Sequence, residues 1–260
     1  MARKEGNLLS RTYHQIISRR DLWRIVLIDA GFILALVLLG IFFSDIVPTD
    51  PDFYKPDLVT FLFGVAFVIV YVSLITLVYS VAKYLVLREL AVRFSLKIGP
   101  WRGFVLQNFS ALGGLAVLSI LFILLSAVFT ASVPLAVLGF VVAVIIFLFV
   151  YLFFNVMHTV FLLHPSESVA DIIALSFRSF RRFGKLSLSF LVLLMPFLIL
   201  TIIFGGGGWI MRDYLYTKFE TSQDFYAVYK GIFSGLFYAL LYLAVLYNRF
   251  LLINVLKTRR

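Results

Sequence analysis

Residues 103–166 read GFVLQNFSALGGLAVLSILFILLSAVFTASVPLAVLGFVVAVIIFLFVYLFFNVMHTVFLLHPS, 64 residues without one Asp, Glu, Lys or Arg. As a single helix this run would measure roughly 95 Å, about three times the hydrocarbon thickness of a bilayer. It must therefore fold back on itself. The polar stretch Thr130-Ala131-Ser132-Val133-Pro134 is the expected turn, because proline suits the first turn of a new helix.

Working outward, charge-poor apolar runs of spanning length recur at about 25–43, 58–82, 104–129, 134–157, 186–203 and 231–248. The pattern predicts an all-α polytopic membrane protein, one integral domain with six crossings paired as three hairpins. Composition agrees, with 62% hydrophobic and 14% charged residues against about 25% charged in soluble domains. Cysteine is absent, which excludes disulfides, thiolate metal ligands, thiol nucleophiles and S-palmitoylation. The polar, basic stretch from Met1 to Arg24 lacks the short apolar core of a removable signal peptide, so the first crossing is expected to direct insertion.

Charge sets the orientation. Four alternate segments carry Arg3, Lys4, Arg11, Arg19, Arg20 and Arg24; Lys83, Arg88, Arg93, Lys97 and Arg102; Arg178, Arg181, Arg182 and Lys185; and Lys257, Arg259 and Arg260. The other side holds only Lys55, Arg212, Lys218 and Lys230, with Arg249 inside the sixth run. The positive-inside rule then puts both termini in the cytoplasm of a multi-pass cell-membrane protein. The acidic outer loop Ser44 to Asp57, with Asp45, Asp50, Asp52 and Asp57, lacks calcium-loop spacing and reads first as a solvated connector. Met211 to Lys230 reads as an interfacial connector with aromatic anchors.

Three apolar stripes precede odd-numbered crossings: Leu9, Tyr13, Ile16, Ile17; Leu87, Leu90, Ala91, Phe94, Ile98; and Val169, Ile172, Ile173, Phe177, Phe180. Each is flanked by basic residues, and each is expected to form a cytoplasmic amphipathic helix on the membrane surface. Whether the three units of surface helix plus hairpin reflect duplication or topology alone stays open, since every cytoplasmic loop must be basic.

The third of these segments, Glu167 to Lys185, places an acidic residue, a short helix with Ala and Ser followed by an aromatic and basic residues, and a Gly turn before the next crossing. It resembles a recurring feature of a loose group of six-helix membrane proteins related to the membrane domain of glycerophosphoryl diester phosphodiesterases. The resemblance covers about 20 residues and the overall topology, and implies an architecture without phosphodiesterase activity.

Polar groups inside a bilayer are the first functional candidates. Asp29, Asn108, Asn155, His158, Asn248 and Arg249 all fall toward the cytoplasmic half by residue count, as a candidate inner-leaflet polar cluster. Asp29 lies about 9 Å beyond Trp23, and Arg249 about 27 Å inward from Gly231. A pairing of Asp29 with Arg249 is one expectation; the other is that Arg249 snorkels while Asp29 faces water. His158 and His164 are six residues apart, with Pro165 between them and Glu167, so no metal site is expected. Ser168 and Asp171 instead match the spacing of a helix capping box.

Pro196 with Gly205, Gly206, Gly207 and Gly208 is a candidate hinge or a plain helix end. Gly231, Gly235 and Ala239 form a small-residue ridge for helix packing, with Gly113 and Gly114 as its expected receiving surface.

No cofactor is implied, and nucleic acid is not an expected partner despite the net charge of +10, because the cations sit beside membrane crossings. Anionic lipid headgroups are the expected contact, with no partner protein specified. The reading is a non-enzymatic scaffold or lipid-interacting membrane protein; the alternative is a permease for a small solute passing the inner polar layer and the Pro196 break.

Overall fold

The computed structural model describes residues 2–17, 22–46, 58–113, 133–181, 183–200 and 222–257. Among them it is all-helical: α1 (Ala2–Ile17), α2 (Leu22–Ile46), α3 (Leu58–Phe94), α4 (residues 101–113), α5 (Val133–Leu163), α6 (Val169–Phe180), α7 (Phe183–Leu200) and α8 (Ser222–Lys257). Four helical segments are long and apolar enough to cross a membrane: Leu22–Ser44, Leu62–Phe94, Ile145–Leu163 and Ser234–Lys257. These cover the first, second, fourth and sixth expected runs. Most of the third run lies outside the described residues, and in α7 the apolar helical stretch is the shorter Ser187–Ile199.

Three helices run past their expected ends. α5 continues to Leu163 and α8 to Lys257, so Asn248 sits inside a helix rather than at its end, and Arg249 lies inside it as expected. The 37-residue α3 is roughly 55 Å long and absorbs the second expected surface helix without a break. Nothing between Ala82 and Leu87 is a helix breaker, so the backbone ladder simply propagates. Pro134 falls in the first turn of α5, as expected, although the turn before it lies outside the described residues.

The chain divides into two compact units. The first comprises Met1–Arg19, Phe140–Thr159 and Ser176–Arg260; the second comprises Arg20–Gly139 and Val160–Leu175.

In the second unit α2 and α3 run antiparallel. Phe43 meets Phe67 and Tyr71 at ring-centroid distances of 5.2 and 4.7 Å, Phe32 meets Tyr79 at 5.9 Å, and Arg24 reaches Glu89 at 4.0 Å. The stripe Leu87, Leu90, Ala91 and Phe94 is buried, together with Phe104, Phe161 and Ile172. It is therefore protein core, not a surface presented to lipid. α3 ends where Ser95 takes a left-handed φ of 53° and the Leu96 N–H reaches back to the Ala91 carbonyl at 2.8 Å, the hydrogen bond of a Schellman-type cap. The following segment is tied to the helix by the Tyr84 hydroxyl, which donates to the Gly99 carbonyl at 2.9 Å.

In the first unit aromatic rings join α5 to α6 and α7, through Phe153 with Phe177 at 4.7 Å and Phe149 with Phe190 at 4.9 Å. Phe197 of α7 meets Phe237 of α8 at 5.6 Å. α1 docks along α8 with Thr12 inward and Tyr13 exposed. Of the expected apolar stripe Leu9 and Ile16 are half-buried and Tyr13 is exposed, and the polar Thr12 side of the helix is the one turned inward.

Candidate functional site

The second unit carries a polar seam on α3. Thr76, Ser80 and Lys83 recur at i, i+4 and i+7, which places them on one helix face, and all three are buried. The Thr76 hydroxyl donates to the Val72 carbonyl at 2.8 Å and the Ser80 hydroxyl to the Thr76 carbonyl at 2.7 Å. From α4 the Asn108 amide donates to the Ser80 hydroxyl oxygen at 2.9 Å. One inter-helix chain of hydrogen bonds thus crosses an apolar interface, where each group would otherwise lose its solvation unreplaced.

Beside Asn108, Gln107 is fully buried and neither atom of its carboxamide has a hydrogen-bond partner among the described residues. Lys83 is only 7% exposed. It is an intrahelical, buried cation rather than the loop charge that the basic-segment reading made of it. The i, i+4, i+7 spacing of Thr76, Ser80 and Lys83 is the available signal for this face, and the charge pattern alone does not distinguish Lys83 from the exposed Arg88 and Lys97.

The expected inner-leaflet cluster is divided between the units. Asp29 and Asn108 lie in the second; Asn155, His158, Asn248 and Arg249 lie in the first. Asn155 turns to its own helix, donating to the Tyr151 carbonyl at 2.8 Å, while the Thr159 hydroxyl donates to the Asn155 carbonyl at 2.7 Å. His158 is buried beside Phe154, at 6.2 Å between ring centroids. Asn248 and Ser189 are fully buried, with side-chain polar atoms unpartnered among the described residues.

A second polar constellation, which sequence reasoning missed, holds α1 on α8. The Asn254 amide donates to Thr12 Oγ1 at 3.0 Å and to Gln15 Oε1 at 2.7 Å. The Thr12 hydroxyl donates to the Leu8 carbonyl at 2.9 Å, and the Tyr247 hydroxyl donates to the Leu9 carbonyl at 3.1 Å. Residues some 240 positions apart meet here, so no local pattern announces them.

Of the expected capping box the serine half is present, while the Asp171 carboxylate meets the Ser168 hydroxyl rather than its backbone N–H. The Ser168 hydroxyl donates to Asp171 Oδ2 at 2.6 Å and accepts from the Asp171 N–H at 3.2 Å. Pro196 lies within α7, which continues past it to Leu200, whereas Gly205 to Gly208 lie outside the described residues. At Gly113, Gly231 and Gly235 an added Cβ would meet nothing within 4 Å, and Gly114 lies outside the described residues.

Chemically, the seam offers hydroxyls, carboxamides and one buried ammonium, groups that bind and orient polar matter. No family model matches the chain, and no curated protein or solved structure matches it.

Proposed function

We propose that this chain is a non-enzymatic integral membrane protein that scaffolds or organises lipid, with six crossings, both termini cytoplasmic and anionic headgroups held at its cytoplasmic basic clusters. The architecture shared with the six-helix group related to the phosphodiesterase membrane domain belongs to the same proposal. The observation that carries it is the apolar surface of α2 and α3. Their facing sides interlock through aromatic rings, yet Leu34, Leu38 and Phe42 on α2 and Val68 and Ile69 on α3 are each more than half exposed. Only 11% and 6% of the two most apolar windows are buried, and surface of that kind is stable against acyl chains rather than water.

A permease is the second reading. It is favoured by the fully buried Gln107 and Asn248 carboxamides, since polar groups placed at membrane depth tend to serve a ligand or a path. Thermal unfolding of the purified protein, with anionic lipid, zwitterionic lipid, and a panel of ions and small metabolites, separates the two. Stabilisation by anionic lipid alone supports the first reading. A saturable shift by a soluble solute, lost in Gln107→Leu or Asn248→Leu, replaces it with the second.

A further inference from the structure

The antiparallel register of α2 on α3 can be followed residue by residue within the second unit. Phe43 lies against Phe67 and Tyr71, Phe32 against Tyr79, and Arg24 against Glu89. Each step down α2 is matched by a step up α3. Asp29 is three residues before Phe32 and five after Arg24; Lys83 is four after Tyr79 and six before Glu89. The series therefore brings Asp29 and Lys83 to the same level, within about one residue, or roughly 1.5 Å along the axes.

Both side chains are turned inward. Lys83 is buried, Asp29 is half-buried, and neither stands free in the structure. An ammonium buried between these helices is held in its charged form by a counter-charge at its level. The acid at its level is Asp29, whereas Glu89 already meets Arg24 nearly two turns away.

The register of α4 adds a third group. Asn108 bonds Ser80, and Phe104 lies against Tyr84 at 5.7 Å, so α4 also runs antiparallel to α3. Gln107 then falls within about two residues, roughly 3 Å, of the Lys83 level. Its carboxamide offers two donors and an acceptor with no partner among the described residues. A small neutral hydrogen-bonding molecule with access to a carboxylate, an ammonium and a carboxamide has the two to four polar partners that retain a buried water.

We infer that Asp29 and Lys83 form an ion pair inside the α2–α3 hairpin, and that bound water joins the Gln107 carboxamide to it, making a hydrated ionic site in an otherwise apolar surface. The ion pair does not depend on which functional reading above is correct.

The test uses the full chain in detergent and two measurements. The first is the rate at which an amine-acylating reagent modifies Lys83, read by peptide mass spectrometry beside the exposed Lys97. Lys83 should react at least tenfold more slowly than Lys97, and Asp29→Asn should raise its rate severalfold. Equal rates in the wild-type protein overturn the site without any variant having to fold.

The second measurement is the unfolding midpoint of Asp29→Asn, Lys83→Met, their double variant, Asp29→Asn with Arg249→Gln, and Gln107→Leu. The pair predicts that each single charge removal lowers the midpoint more than the double does. Additive losses, or relief of Asp29→Asn by Arg249→Gln in place of Lys83→Met, overturn the pairing. The water predicts a lower midpoint for Gln107→Leu; a neutral or raised midpoint, as expected for removing a dry unpaired carboxamide, overturns that part.

Discussion

Replacing Asn254 with alanine should release α1 while leaving the rest of the protein folded. The Asn254 amide uses both hydrogens, one to Thr12 and one to Gln15, across a surface where Asn254 is 4% and Thr12 0% exposed. Each bond contributes about 1 kcal/mol net, so their loss weakens docking by about 2 kcal/mol. At about 1.4 kcal/mol per tenfold, that is roughly a 30-fold rise in the undocked population. α1 has 16 residues, too few to be firmly helical alone in water, so undocking and unwinding should coincide. Amide hydrogen exchange in nanodiscs reads this directly. Amides of Arg11 to Ile16 should exchange roughly 30-fold faster in Asn254→Ala, with α2 and α3 unchanged. Unchanged exchange in α1 would refute the clamp, and uniform acceleration across α2 and α3 would refute its local character.

Gly99→Ala should lower stability by about 1–3 kcal/mol, because its new Cβ would sit 2.8 Å from the Phe161 ring and 3.0 Å from the Pro165 carbonyl oxygen. Gly31→Ala, which meets nothing within 4 Å, should show no such loss in the same thermal unfolding assay. Ser95→Gly should raise stability by about 0.5–1 kcal/mol in denaturant titration, since glycine occupies the left-handed conformation at φ 53° without steric penalty. Ser168→Ala should lose about 1 kcal/mol of α6 stability, visible as faster exchange of the Asp171 and Ile172 amides, while Ser168→Thr should retain most of it.

Local chemistry was legible in the sequence, and distant pairing was not. The Ser168 cap on the Asp171 N–H and the placement of Pro134 follow from residues within one helical turn, where identity fixes geometry. Apolar runs likewise announced α2, α3, α5 and α8 because a helix is the structure that satisfies its own backbone within lipid. The surface-helix assignment of Leu87 to Phe94 failed for a physical reason. An amphipathic stripe reports only that one face avoids water, and protein core satisfies that as well as a bilayer does. Charge patterning groups Lys83 with the cytoplasmic cations because it follows the expected end of the second crossing at Ala82, although its register with Thr76 and Ser80 places it inward. The Asn254 clamp joins the two ends of the chain, and only the folded structure brings them together.

The central claim is that the outer faces of α2 and α3 lie in lipid. The chain contains no cysteine, so single cysteines at Leu34, Leu38 and Val68, each between 56 and 60% exposed, carry unique spin labels without further engineering. In reconstituted vesicles the account predicts that these labels collide readily with oxygen, which partitions into the bilayer, and little with a water-soluble nickel complex. A control label at exposed Lys97 should show the reverse. Strong nickel collisions at Leu34, Leu38 and Val68 would place these helix faces in water and contradict the account.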